Sequence, residues 1–229
     1  YHPVPGRFEL NEIAPAPGRN YLLATIRFPV VAAFGTIVGR LKGMFDLDAD
    51  VTAIDTHLSA DPLLASLVAA RPGLRVPGAW DPFELAVRAV LGQQVSVAAA
   101  TVLTGRVASS YGAKLVLDDG DALPAGLTHV FPAPADLADA DPAILRIPGA
   151  RAATIAGVAR ALVERPDLLQ PLLPLEIAIE HLTNLKGIGP WTAHYVAMWA
   201  LLEPYAFPSG DLGLRKAAAV DGEMPSAAA

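Results

Sequence analysis

From Phe83 to Leu201 the chain alternates alanine-rich, helix-forming segments with short breaks of proline and glycine, and no strand pattern interrupts the alternation. "PFELAVRAVLG" predicts one helix with Pro82 in its first turn, where the missing N–H costs nothing. "VSVAAATVLTGRVASSYG" predicts the next, ending at Tyr111-Gly112. "PADLADA" and "DPAILRI" predict two short helices, and "IPGARAATIAGVARALVER" a long one after a Pro-Gly break. "PLEIAIEHLTNL" and "PWTAHYVAMWALLE" predict a pair joined by a tight turn, and "PYAFPSGDLGLRKAAAV" a loop running into a last helix. Helices separated by breaks this short must pack on one another around a shared core.

The text ahead of Pro82 is of another kind. "FELNEIA" and "YLLATIRFP" predict two strands, punctuated by Gly18-Arg19-Asn20. "VAAFGTIVGRLKGMFDL" has helical spacing, with Phe34, Val38, Leu41, Met44 and Phe45 on one face. A further helix is predicted over about 51–70. The expected class is mainly α with a small N-terminal α+β domain. The expected division is an α+β domain at 1–72, a Pro/Gly-rich linker at 73–82, an all-α domain at 83–204 and a loop with the start of a C-terminal helical subdomain at 205–229. Residues 113–134 predict a loose stretch, and 113–142 reads as surface loop with short helices.

Composition excludes several chemistries. With no cysteine, the chain has no disulfide, thiolate metal site, iron–sulfur cluster or cysteine nucleophile. No apolar run reaches the ~18–20 residues of a membrane span, and the expected location is the cytoplasm. The net charge of −6 argues mildly against a polyanion partner, because a nucleic-acid binder usually shows a basic face. Backbone amides escape that count.

"NLKGIGPW", residues 184–191, is where such amides gather. Gly187 and Gly189 can take positive φ or let another backbone approach closely. Pro190 then sets the first turn of a helix. Two readings stand on spacing alone: a tight αα-hairpin, or an anion site at a helix N-terminus. Trp191 and Tyr195, at i and i+4, share a helix face and read equally as core aromatics or as a stacking surface. Asp211, ahead of "LGLRKA", reads as a helix cap. Gln93-Gln94 reads as a solvated turn. Lys186 reads as a phosphate neighbour or a solvated side chain. His181 and His194 flank the hairpin at a spacing that indicates neither a general acid nor a metal pair.

"LKGIGPWTA" resembles the helix-hairpin-helix element of the base-excision DNA glycosylases, and "FPSGD" matches the Gly/Pro-rich loop that carries their aspartate. Within that superfamily, "WDPFELAVRAVLGQQVSVAAA", "IPGARAATIAGVARAL" and "LTNLKGIGPWTAHYVAMWAL" are similar to the bacterial DNA-3-methyladenine glycosylase II group. The resemblance covers nearly the whole chain. Its motifs from residue 80 onward are specific; the first 70 residues support it by architecture.

The resemblance implies a helix-hairpin-helix glycosylase fold with a cleft between helical subdomains and the hairpin element at 174–202. It implies a monomer that flips an alkylated purine, such as 3-methyladenine or 7-methylguanine, out of duplex DNA and excises it by hydrolysis. Asp211 would be catalytic, and Trp191 and Tyr195 would bind the base. Gly187, Ile188 and Gly189 would bind DNA through the hairpin backbone, and Gln94 would plug the gap in the stack. Trp191 stands where the strand-cutting relatives carry a lysine amine, which implies base removal without lyase activity. No cofactor is implied beyond a Na+ or K+ ion held by the carbonyls of Thr183, Leu185 and Ile188.

Departures from the pattern are Gln94, bulky and apolar in the best-known relatives, and Gly210, acidic in some. The family's final helix would lie beyond Ala229 and its opening strands before Tyr1, so the chain reads as truncated at both ends, with a fused repair domain upstream as one arrangement. Two alternatives stay open: a non-catalytic DNA-binding module in which Asp211 is only a cap, and a glycosylase of another base specificity.

Overall fold

The computed structural model describes residues 7–11, 22–28, 30–115, 126–171, 173–219 and 223–226. Two strands, β1 (Arg7–Asn11) and β2 (Leu23–Arg27), pair antiparallel with Arg7 opposite Arg27. The predicted turn at Gly18-Arg19-Asn20 lies outside the described residues.

A 3-10 turn at Val31–Ala33 leads into α1 (Phe34–Met44). The predicted apolar face of α1 needs one change: Leu41 is buried and Val38, Met44 and Phe45 are half-buried, but Ile37 is buried where Phe34 is 53% exposed. The predicted single helix over 51–70 is also corrected, into α2 (Val51–Leu58) and α3 (Pro62–Ala70). The cause is local. Asp61 accepts the amides of Leu63 and Leu64, and Pro62 fills the first helical position. A cap of this kind stabilises a new helix start by about 1 kcal/mol, and Pro62 has no N–H to continue the old helix.

Residues 73–82 carry no helix or strand up to Asp81, yet they are pinned at both ends. The amide of Gly73 donates to Asp55, and the Arg75 guanidinium donates to the carbonyls of Asp46 and Ala49. The amide of Gly78 donates to the carbonyl of Met44, and that of Ala79 to the carbonyl of Trp199. The guanidinium of Arg40 lies 5.4 Å from the Trp80 ring centre, within cation–π range.

The helical body follows: α4 (Pro82–Gly92), α5 (Val97–Tyr111), α6 (Pro134–Leu137), α7 (Pro142–Leu145), α8 (Gly149–Glu164), α9 (Leu175–Thr183), α10 (Pro190–Ala200) and α11 (Leu212–Ala217). Asp81 caps α4 by accepting the amide of Glu84, and Ser96 caps α5 by accepting that of Ala99. Helix α4 is the centre: it packs against α5, α8 and α10. Val87, Val90 and Leu91 on it are fully buried, with Val107, Leu137, Leu145, Ile155 and Val196 closing in from other helices. Each such side chain stabilises the fold by roughly 1.5–3 kcal/mol relative to an exposed one. The expectation of helices only after Phe83 needs one amendment. A short antiparallel contact joins Lys114 to His129, with the amides of Leu115 and Val130 donating to the carbonyls of Thr128 and Ala113.

Candidate functional site

The site is built on the α9–α10 turn. Gly187 has φ +91°, and a Cβ placed there would come within 2.0 Å of Thr154 Oγ1 on α8. Glycine is required twice over, by backbone angle and by contact. Gly189 differs: its φ is −92° and nothing lies within 4 Å of where its Cβ would be. No acceptor among the described residues meets the amides of Gly187 and Gly189. The first amides of α10 add to them, because a helix start leaves its leading N–H groups without intrahelical partners. Ile188 is 6% exposed and belongs to the core, and its amide donates to the carbonyl of Leu185. Lys186 is exposed.

The α4–α5 turn is fastened to this hairpin. Gln93 Nε2 donates to the carbonyl of Gly187 and to Thr192 Oγ1, both at 3.1 Å. Its own carbonyl accepts Arg151 at 2.6 Å. The reading of Gln93 as solvated is therefore corrected: it is a half-buried latch between two turns. Gln94, beside it, is exposed and holds φ +56°, a left-handed conformation costly for a residue with a Cβ.

Along α10 three aromatic rings form a ladder. Trp191 and Tyr195 stack with centres 5.2 Å apart, and Tyr195 and Trp199 with centres 5.7 Å apart. Tyr195 is thus the middle rung, with a neighbour on each side. Burial raises its hydroxyl pKa above the ordinary value, opposed in part by the positive charge of Arg88. Arg88 is itself paired with Glu84 one turn earlier, at 2.6 Å. Trp199 as a third rung was not anticipated from the sequence, although the i+8 spacing from Trp191 carries the signal.

Asp211 sits at the top of the ladder. Its Oδ1 accepts the amide of Leu214 at 3.0 Å and caps α11, while Oδ2 accepts Trp191 Nε1 at 3.2 Å. The cap reading is therefore true of one oxygen, and the other is turned to the first ring of the ladder. Gly210, next to it, is exposed. Trp191, Tyr195 and Asp211 come together at one place, and Gly187, Gly189 and Gln94 border the two fastened turns. Of the three carbonyls on the turn, that of Leu185 accepts the amide of Ile188, while those of Thr183 and Ile188 meet no donor among the described residues. No group of three or more metal-ligating side chains occurs among the described residues, and no helix there is long and apolar enough to cross a membrane.

Comparison with known proteins bears on this geometry. A family model described as the AlkA N-terminal domain matches residues 4–81. A probable bifunctional transcriptional activator/DNA repair enzyme AlkA of Mycobacterium tuberculosis is 43% identical over 183 residues, which are 80% of this chain and 36% of that protein. DNA-3-methyladenine glycosylase 2 of Escherichia coli is 40% identical over 166 residues, 70% of this chain and 54% of that protein. The chain thus spans about a third to a half of these relatives. Among solved structures, a 3-methyladenine DNA-glycosylase from Archaeoglobus fulgidus superposes with a TM-score of 0.74 at 24% identity, over 90% of this chain and 70% of that one. An 8-oxoguanine glycosylase/lyase from Clostridium acetobutylicum, bound to double-stranded DNA, gives 0.71 at 21% identity, over 92% and 68%. At these identities the structural likeness is one of fold.

Proposed function

Because this chain belongs to the helix-hairpin-helix DNA glycosylase superfamily, we propose that it acts as a monofunctional glycosylase: it flips an alkylated purine, such as 3-methyladenine or 7-methylguanine, out of duplex DNA and hydrolyses its bond to the sugar. The observation that carries the reading is the placement of Asp211, whose carboxylate is fixed by the Trp191 indole and the Leu214 amide at the end of an aromatic ladder.

Each part has a physical role. An alkylated purine is electron-poor and often cationic, so it is drawn to aromatic faces; Trp191 is the rung beside Asp211. As the base leaves, the electron pair of the N-glycosidic bond goes with it and positive charge grows on C1′. The fixed carboxylate of Asp211 stabilises that charge, orients the water whose oxygen bonds to C1′ and accepts the proton that this water releases. A cationic base departs as a neutral molecule and needs no proton donor. Trp191 offers no amine to attack the sugar, so no β-elimination follows.

The open amides at Gly187 and Gly189 and the start of α10 suit a DNA phosphate, and Gln94, exposed on its strained turn, fills the place of the flipped base. The free carbonyls of Thr183 and Ile188, with the second lone pair of Leu185, suit a monovalent cation, which supplies positive charge beside the phosphate. The protein works as a monomer, in the cytoplasm, on nucleoid DNA.

The test is release of free 3-methyladenine and 7-methylguanine from alkylated duplex DNA, with Asp211→Asn as the variant. Asparagine remains a good cap, so α11 persists while the charge is lost. Excision is expected to fall by about 10²–10³. The cap hydrogen bond favours a second reading, a DNA-binding module without catalysis; an intact, DNA-binding protein that releases no base would establish it. A strand-cleavage assay on the abasic product is expected to show no cutting.

A further inference from the structure

His194 lies on α10 between Trp191 and Tyr195, and its Nδ1 accepts the backbone N–H of Phe207 at 3.3 Å. Phe207 opens the loop that ends at Asp211. From there the loop holds itself by backbone turns: the amide of Ser209 donates to the Phe207 carbonyl at 2.9 Å, and that of Asp211 to the Pro208 carbonyl at 2.8 Å. The Phe207 side chain is 58% exposed, so its own packing does not fix this point of the chain. Helix α10 therefore grips the loop twice, through Trp191 at the Asp211 carboxylate and through His194 at the Phe207 amide.

From this double grip we propose that His194 is a positioning residue: by holding the Phe207 amide, it sets where the turn 207–211 rests on α10 and hence where the Asp211 carboxylate stands. The inference rests on the reading of Asp211 as the catalytic carboxylate. The Trp191 indole fixes the tip of the side chain, and the backbone four residues back, where Ala206 and Pro208 are buried on either side of Phe207, is held in addition by the directional bond to His194. For Nδ1 to accept, the imidazole must be neutral with its proton on Nε2. A displacement of about 1 Å in a reacting group can cost about 10²-fold in rate, so a loop that slips part of the time is expected to lose less than that.

The experiment compares wild type, His194→Leu and His194→Asn in single-turnover release of 7-methylguanine, with affinity for duplex DNA and amide hydrogen exchange at Phe207 measured alongside. Leucine keeps the volume and removes the acceptor; asparagine places Oδ1 near the lost Nδ1. His194→Leu is expected to excise roughly 10- to 30-fold more slowly, with DNA affinity within about twofold and faster exchange at Phe207. His194→Asn is expected to recover most of the rate and the protection. In an Asp211→Asn background, His194→Leu is expected to add little, because it acts through the same carboxylate. A His194→Leu protein with wild-type rate and Phe207 protection overturns the proposal, as does a loss of rate and affinity together that asparagine does not restore. If wild type releases no base, the catalytic reading of Asp211 fails, and exchange at Phe207 still decides whether His194 holds the loop.

Discussion

Two turns meet at the edge of the helical body, and they are made in opposite ways. The α9–α10 turn is built from backbone: Gly187 presses against Thr154, and Gly189 borders open space. The α4–α5 turn is built from side chains: Gln93 makes two hydrogen bonds across to the first turn, and Gln94 carries a left-handed backbone that glycine would hold at less cost. The difference separates two demands. On the proposed function, side chains are absent where a phosphate would be admitted, and one is kept despite the strain where it would enter the DNA stack.

The largest effect is expected from breaking the backbone-built turn. Gly187→Val meets a forbidden φ and a collision with Thr154 at once, and should destabilise the protein by about 3 kcal/mol; urea unfolding measures it, and loss of DNA binding should accompany it. Next is Gln93→Ala, which leaves the buried Thr192 hydroxyl and the Gly187 carbonyl without their partner and should cost about 1–2 kcal/mol. Gly189→Ala sharpens the comparison. Stability should stay within about 0.5 kcal/mol, while affinity for duplex DNA falls by about tenfold, because the added methyl obstructs the approach of a phosphate to an amide that alanine still carries. Equal losses in both would mean that Gly189 only shapes the turn. The smallest effect is Gln94→Gly, expected to stabilise by about 0.5–1 kcal/mol and yet to slow base flipping, read by a fluorescent base opposite the lesion.

Much of the fold was legible because its signals are local. Pro82, Pro134 and Pro190 each sit at the first turn of a helix, and Gly112 ends one. The same signal is present at Asp61-Pro62, where it divides the expected helix over 51–70 into two. What could not be read are contacts between distant parts of the chain. Gln93 looks like any polar turn residue until α10 is beside it. His194 has no spacing partner in sequence; its partner is a main-chain amide, which every residue but proline possesses. That Asp211 and Trp191 share one site was expected only through the family likeness; their hydrogen bond was not, since the residues alone gave a cap.

The contact of Gly187 with Thr154 also governs which mutational routes are open to this hairpin. Shortening Thr154 to alanine removes the hydroxyl that a new Cβ would strike, but the φ of +91° at position 187 remains. No first step at 154 therefore opens a second at 187. Changes at 154 meet no such bar of backbone angle while glycine stays at 187, but they must fit a buried position. Position 187 is in this sense one-way: a lineage can enter it and has no gradual exit, so change in the hairpin is steered to Gly189 and to the residues around it.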